Sequence, residues 1–109
     1  MLLEFWATWC MPCMGEVPYM VDAYNEYKGK GFEVFSVSID EDAASWVSVV
    51  KEKGMRWVNV RAAEGSDVCD KYGIYGIPAN FLIDCATGEI VAVGLRGEAL
   101  KNKLKELFD

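Results

Sequence analysis

The sequence contains no histidine. Ser-His-Asp and Cys-His nucleophilic pairs are therefore excluded, and so is any His-ligated zinc, copper or haem centre. Positive charge is also short: 11 Lys and Arg stand against 17 Asp and Glu, a net charge of -6. That argues against nucleic acid as a partner, because phosphate binding needs a clustered cationic surface. No apolar run approaches the roughly 20 residues that span a bilayer. No secretory leader is visible, since Met1 runs at once into residues that read as a core strand. The four cysteines are too few for a disulfide scaffold, and they lack the paired CxxC spacing of a zinc site. What is left is chemistry from carboxylates, lysines and the thiols of Cys10, Cys13, Cys69 and Cys85.

What is present fits a single globular domain over residues 1–109, with 52% hydrophobic residues and no repeat or linker. At this length about two-thirds of the unfolded surface can be buried, so a core forms without staples.

Leu2, Leu3, Phe5 and Trp6 make a short buried strand. Met11 to Lys28 reads as a helix with Val17, Met20, Val21 and Tyr24 as its inner stripe. Pro12 suits its first turn, Pro18 should kink it, and Gly29 and Gly31 end it. Phe32 to Ile39 is a second strand. Asp40 or Asp42 caps a helix running to about Lys53, with Ala43, Val47 and Val50 inward. A short strand at Trp57 to Val60 and a short helix at Ser66 to Tyr72 follow. The loop Gly73 to Pro78 then leads to two strands, Asn80–Asp84 and Ile90–Leu95, joined through Ala86-Thr87-Gly88. A terminal amphipathic helix carries Leu100, Leu104, Leu107 and Phe108 on one face. This order implies an α/β fold: a mixed sheet with helices on both faces.

The chemistry concentrates at Trp9-Cys10-Met11-Pro12-Cys13, where the first strand feeds the first helix. Thiols two residues apart at a helix start can close a small disulfide ring with little chain movement. At a helix N-terminus, free N–H groups and the macrodipole favour a negative sulfur. Such thiolates have pKa values of roughly 3.5–7.5, against about 8.5 for a free cysteine. Cys10 is thus the candidate nucleophile and Cys13, one turn in and more buried, the candidate resolving thiol. The alternatives for the pair are a structural disulfide or half a metal site. Cys69 and Cys85 are read as inert, with a bond between them as the alternative. Trp9 is expected partly exposed beside Cys10, and Trp6 in the core. Tyr72 and Tyr75 either line a substrate groove or pack.

FWATWCMPC, then Glu16-Val17-Pro18, then Gly76-Ile77-Pro78 leading into FLID, resembles a thioredoxin-fold protein, most closely the TlpA/ResA-like thiol-disulfide oxidoreductases. The resemblance runs from Leu2 to the last helix. It implies that Pro78 is a cis-proline facing the active disulfide and that the Ile77 backbone pairs with an extended substrate strand. Trp9, Met11 and Pro12 would share in substrate binding. It implies protein disulfide substrates, such as apocytochromes awaiting haem, and a thiol-disulfide electron donor. The Cys10–Cys13 pair itself is the redox centre, with no other cofactor and no metal. It also implies an extracytoplasmic or periplasmic setting, with any membrane tether outside this chain. A general cytosolic thioredoxin is the alternative within the class, and a non-catalytic thioredoxin-fold binding module the alternative outside it. A thiol peroxidase is disfavoured, because its reactive cysteine sits in a different local motif.

The sequence departs from that family at Met11, an uncommon residue between the cysteines that leaves the redox poise open. Such proteins usually begin with extra strands, so the edge strand is expected to be absent or trimmed. Glu4, six residues before Cys10, matches the buried acid of thioredoxins and protein disulfide isomerases, where the TlpA-like branch more often carries an amide. Glu16, three residues after Cys13, shares its helix face. Resolving a mixed disulfide requires Cys13 to lose a proton. With no histidine to take it, Glu4 or Glu16, its pKa raised by burial, is the expected acceptor. The alternative for each is an edge-exposed strand for Glu4 and a solvated helix face for Glu16.

Overall fold

The computed structural model describes residues 1–63 and 66–109. Its strands are β1 (Leu2–Trp6), β2 (Val34–Ser38), β3 (Val58–Arg61), β4 (Ala79–Ile83) and β5 (Ile90–Val93). Its α-helices are α1 (Met11–Tyr27), α2 (Ala43–Glu52), α3 (Val68–Lys71) and α4 (Glu98–Phe108).

The strands form one mixed sheet in the order β3-β2-β1-β4-β5. β1 runs parallel to β2 and antiparallel to β4, with Glu4 opposite Ser36 on one side and Asn80 on the other. β1 is therefore the central strand, and Glu4 does not lie on an exposed edge. The outermost strands among the described residues are β3 and β5.

Side chains alternate across a strand, so Leu2, Glu4 and Trp6 face one way and Leu3 and Phe5 the other. The larger core joins Leu2, Trp6, Val34 and Leu82 to α1, α2 and α4. The smaller one joins Leu3, Phe5 and Val37 to Ile74 and the α3 region. Helices thus cover both faces.

Several details differ from expectation. The fully buried stripe of α1 is Cys13, Val17, Met20, Ala23 and Tyr27, while Val21 and Tyr24 are only partly covered. The helix continues through Pro18, whose missing N–H costs one ladder bond in a 17-residue element. A 3₁₀ turn, Lys28–Lys30, and Gly31 in the left-handed region at φ 101° close it. Trp46, Val49 and Val50, not Ala43 and Val47, carry α2 onto the core. Asp42 takes the cap of α2, accepting from the Ala44 N–H at 3.0 Å; Asp40 is engaged elsewhere. Leu107 of α4 is half exposed. β5 stops at Val93, because the Leu95 N–H bonds the Asn80 side chain instead of a strand.

Candidate redox site

The turn between β1 and α1 is fixed from β2. Asp40, buried just past the end of that strand, accepts from the Thr8 N–H at 3.0 Å and from the Thr8 hydroxyl at 2.7 Å. It also accepts from the Ser38 hydroxyl. A buried carboxylate is stable only when its lone pairs are filled, and here donors fill both oxygens. The result is a rigid approach to Trp9 and Cys10.

Cys10 is the N-cap residue of α1, and the Cys13 N–H lies 3.2 Å from its Sγ. The two cysteines form a disulfide, with Cα atoms 5.2 Å apart. An N–H aimed at Cys10 Sγ also stabilises a thiolate once the bond is reduced. Cys13 is the more deeply buried, but both sulfur-bearing side chains are largely covered. The chain neighbours of Cys10 are apolar and open, Trp9 being 66% exposed and Met11 83%, and Tyr75, on the loop that also carries Ile77, is 94% exposed. Tyr72 instead lays its ring on Phe5 and Phe81, with centroids 5.5 and 6.0 Å away.

Opposite the pair stands the loop before β4. The Ile77–Pro78 peptide is cis, and the Ile77 carbonyl oxygen lies 3.8 Å from Cys10 Sγ. The structure thus gathers Trp9, Cys10, Met11, Pro12, Cys13, Ile77 and Pro78 at one place. Cys69 and Cys85 carry free thiols, not a disulfide.

On β1, the strand that leads into the pair, lies Glu4, only 3% exposed, with Oε2 buried and without a hydrogen-bond partner among the described residues. Desolvation drives its pKa up to about 8; the neighbouring Asn80 amide and Arg96 pull it down, and the Glu16 charge pushes it further up. Glu16, half buried on α1, accepts the Gly97 N–H at 2.8 Å. Neither carboxylate occupies a solvated face.

Three residues of this site escape a reading of sequence alone: Asp40, Asn80 and Arg96. Asn80 exchanges two bonds with Leu95, its Oδ1 accepting from the N–H at 2.9 Å and its Nδ2 donating to the carbonyl at 2.8 Å. Arg96 donates from Nη2 to the Pro78 carbonyl at 2.9 Å. Asp40 forms its bonds to Thr8 across 32 positions, which no local motif signals. Among the described residues no group of three or more His, Cys, Asp or Glu is placed to hold a metal.

The sequence profile of the AhpC/TSA family matches residues 1–93. The chain belongs to the AhpC/TSA family. The chain is 36% identical over 104 residues to the thiol-disulfide oxidoreductase ResA of Bacillus thuringiensis subsp. konkukian, covering 95% of this chain and 58% of that protein. It thus spans little more than half the length of the curated relatives it matches. Among solved structures it superposes with a TM-score of 0.93 on the thioredoxin domain of a thiol-disulfide oxidoreductase from Bacteroides vulgatus, at 34% identity over 99% of this chain and 78% of that one. A thiol:disulfide interchange protein from Bacteroides sp. gives a TM-score of 0.89 at 35% identity, covering 98% of this chain and 71% of that one. The fold of this AhpC/TSA member is the thioredoxin fold.

Proposed function

We propose that this chain is a thiol-disulfide oxidoreductase domain that reduces or exchanges disulfides in protein substrates. The observation that carries the reading is the Cys10–Cys13 disulfide at the start of α1, with the Cys13 N–H on Cys10 Sγ and the Ile77 carbonyl beside it.

In the reduced form the Cys10 thiolate attacks a substrate disulfide. One mixed disulfide forms, and one substrate sulfur leaves as thiolate and takes up a proton. Cys13 then gives up its proton and attacks Cys10 Sγ, which releases the second substrate thiol and closes Cys10–Cys13. The substrate is reduced by two electrons, the pair is oxidised by two, and an external dithiol must reset it. Glu4 is the proton acceptor for Cys13: it is buried, has an open lone pair at Oε2, and its pKa of about 8 lies close to that of a thiol. The Glu16 carboxylate, held by the Gly97 N–H, adds to the upward push on the Glu4 pKa.

The substrate side is the exposed collar of Trp9, Met11 and Tyr75 with the Ile77–Pro78 edge, which suits an extended polypeptide laid across the sulfurs. The TlpA/ResA-like resemblance of WCMPC and Gly76-Ile77-Pro78 implies an extracytoplasmic reductant with apocytochromes among its candidate substrates. The test is covalent trapping. A Cys13→Ser variant cannot resolve the intermediate, so it accumulates a mixed disulfide with a peptide disulfide that wild type turns over. Cys10→Ser forms no adduct and does not reduce insulin in the presence of dithiothreitol. Turnover by Cys10→Ser, or no adduct with Cys13→Ser where wild type is active, overturns the reading.

A further inference from the structure

Of the four residues that link β5 to α4, three, Leu95, Arg96 and Gly97, each tie down a different part of the site. Leu95 holds Asn80, the neighbour of Glu4, by two backbone bonds. Gly97 holds Glu16. Arg96 spans the remaining gap with its side chain, donating to the Pro78 carbonyl. Pro78 is buried and follows Ile77, whose own carbonyl lies against Cys10 Sγ. Proline has no N–H, so Pro78 can be anchored by hydrogen bonding only through that carbonyl. A guanidinium gives it a charge-assisted, directional bond.

We propose that Arg96 is a positioning residue for thiol-disulfide exchange: by fixing the Pro78 carbonyl it sets the Ile77–Pro78 edge at the spacing from Cys10 that an extended polypeptide disulfide needs to dock. This rests on the exchange function proposed above. A small disulfide needs only Cys10 Sγ, whereas a polypeptide needs the edge as well. Arg96 therefore acts on docking of the large substrate through Pro78, while the pull of its charge on Glu4 bears equally on both substrates and is kept by Arg96→Lys.

The experiment compares wild type, Arg96→Ala and Arg96→Lys on two substrates, the small aromatic disulfide 5,5′-dithiobis(2-nitrobenzoate) and a disulfide-bonded peptide. Loss of one charge-assisted bond raises the peptide KM of Arg96→Ala about tenfold, with kcat falling less than about threefold. The small-disulfide rate falls by a clearly smaller factor than peptide kcat/KM. Arg96→Lys, which keeps a donor, recovers most of the peptide KM. An unchanged peptide KM in Arg96→Ala, or equal proportional losses on both substrates, overturns the inference. Wild type inactive on both substrates overturns the exchange reading itself, which separates the two failures. Arg96 is exposed, and an unshifted thermal midpoint for Arg96→Lys keeps its kinetic result interpretable if Arg96→Ala unfolds.

Discussion

Glu4 and Asn80 stand directly opposite one another in the antiparallel pairing of β1 with β4. The Asn80 amide is the only group on β4 that eases the burial of the Glu4 carboxyl, and it is itself held by both backbone groups of Leu95. The protonation of the site's floor is thus linked to the segment that also carries Arg96 and Gly97.

The first consequence concerns stability. The folded pKa of Glu4, about 8, lies above its ordinary value of 4.5. Between those values the native state keeps a proton that the unfolded state has released, so stability falls as pH rises through this window and levels off above it. Glu4→Gln removes this slope. Denaturant unfolding at pH 5 and pH 9 should show the variant gaining about 4 kcal/mol relative to wild type over that interval.

The second concerns rate. Only ionised Glu4 can accept a proton. Single-turnover resolution of a preformed mixed disulfide should therefore rise about tenfold between pH 7 and pH 9, centred near the Glu4 pKa of about 8. In Glu4→Gln this limb moves toward the thiol's own titration range. Identical pH profiles for the two proteins would remove Glu4 from the mechanism.

Asp40→Ala should be among the costlier single changes. It strips partners from the Thr8 N–H and hydroxyl and from the Ser38 hydroxyl. Orphaned buried donors cost about 1–3 kcal/mol each, so a loss of about 3 kcal/mol and a drop of at least about 10 °C in thermal midpoint are expected. Calorimetry decides this. Lys30→Ala, which breaks an exposed 2.6 Å pair with Asp109, should by contrast leave the thermal midpoint almost unchanged.

Gly97→Ala probes the backbone. Gly97 sits at φ 55° and ψ -130°, a region nearly closed to residues with a Cβ, and its N–H reaches Glu16. A cost of about 1–3 kcal/mol in denaturant unfolding is expected.

Much of the fold was legible from periodicity and punctuation. The apolar run at Leu2–Trp6, the glycines after Tyr27 and the turn at Ala86-Thr87-Gly88 mark elements that the structure reproduces within a few residues. The cysteine pair and the Ile77–Pro78 loop were legible because WCxPC followed by a downstream IP is a compact signal. What sequence could not give was the partner of each polar residue. Asp40 and Asp42 both read as helix caps, since Asp is a good cap, yet Asp42 alone caps α2 while Asp40 turns back to Thr8. The stripe of α1 was legible in part: Val17 and Met20 are buried and Val21 and Tyr24 pack half-covered against the same core, but Ala23, which looks neutral, and Tyr27 were missed. Glu4 could be read either as an edge residue or as a buried acid; only the sheet order, which puts β1 between β2 and β4, decides between them.

Because β1 is paired along both sides, its amides have no frayed border from which to open. They should exchange with deuterium only when the whole chain unfolds, whereas those of the outlying β3 and β5 should exchange sooner. The ground on which the sulfurs stand is then the longest-lived part of the molecule, and a visiting partner can be clasped and released many times without disturbing it.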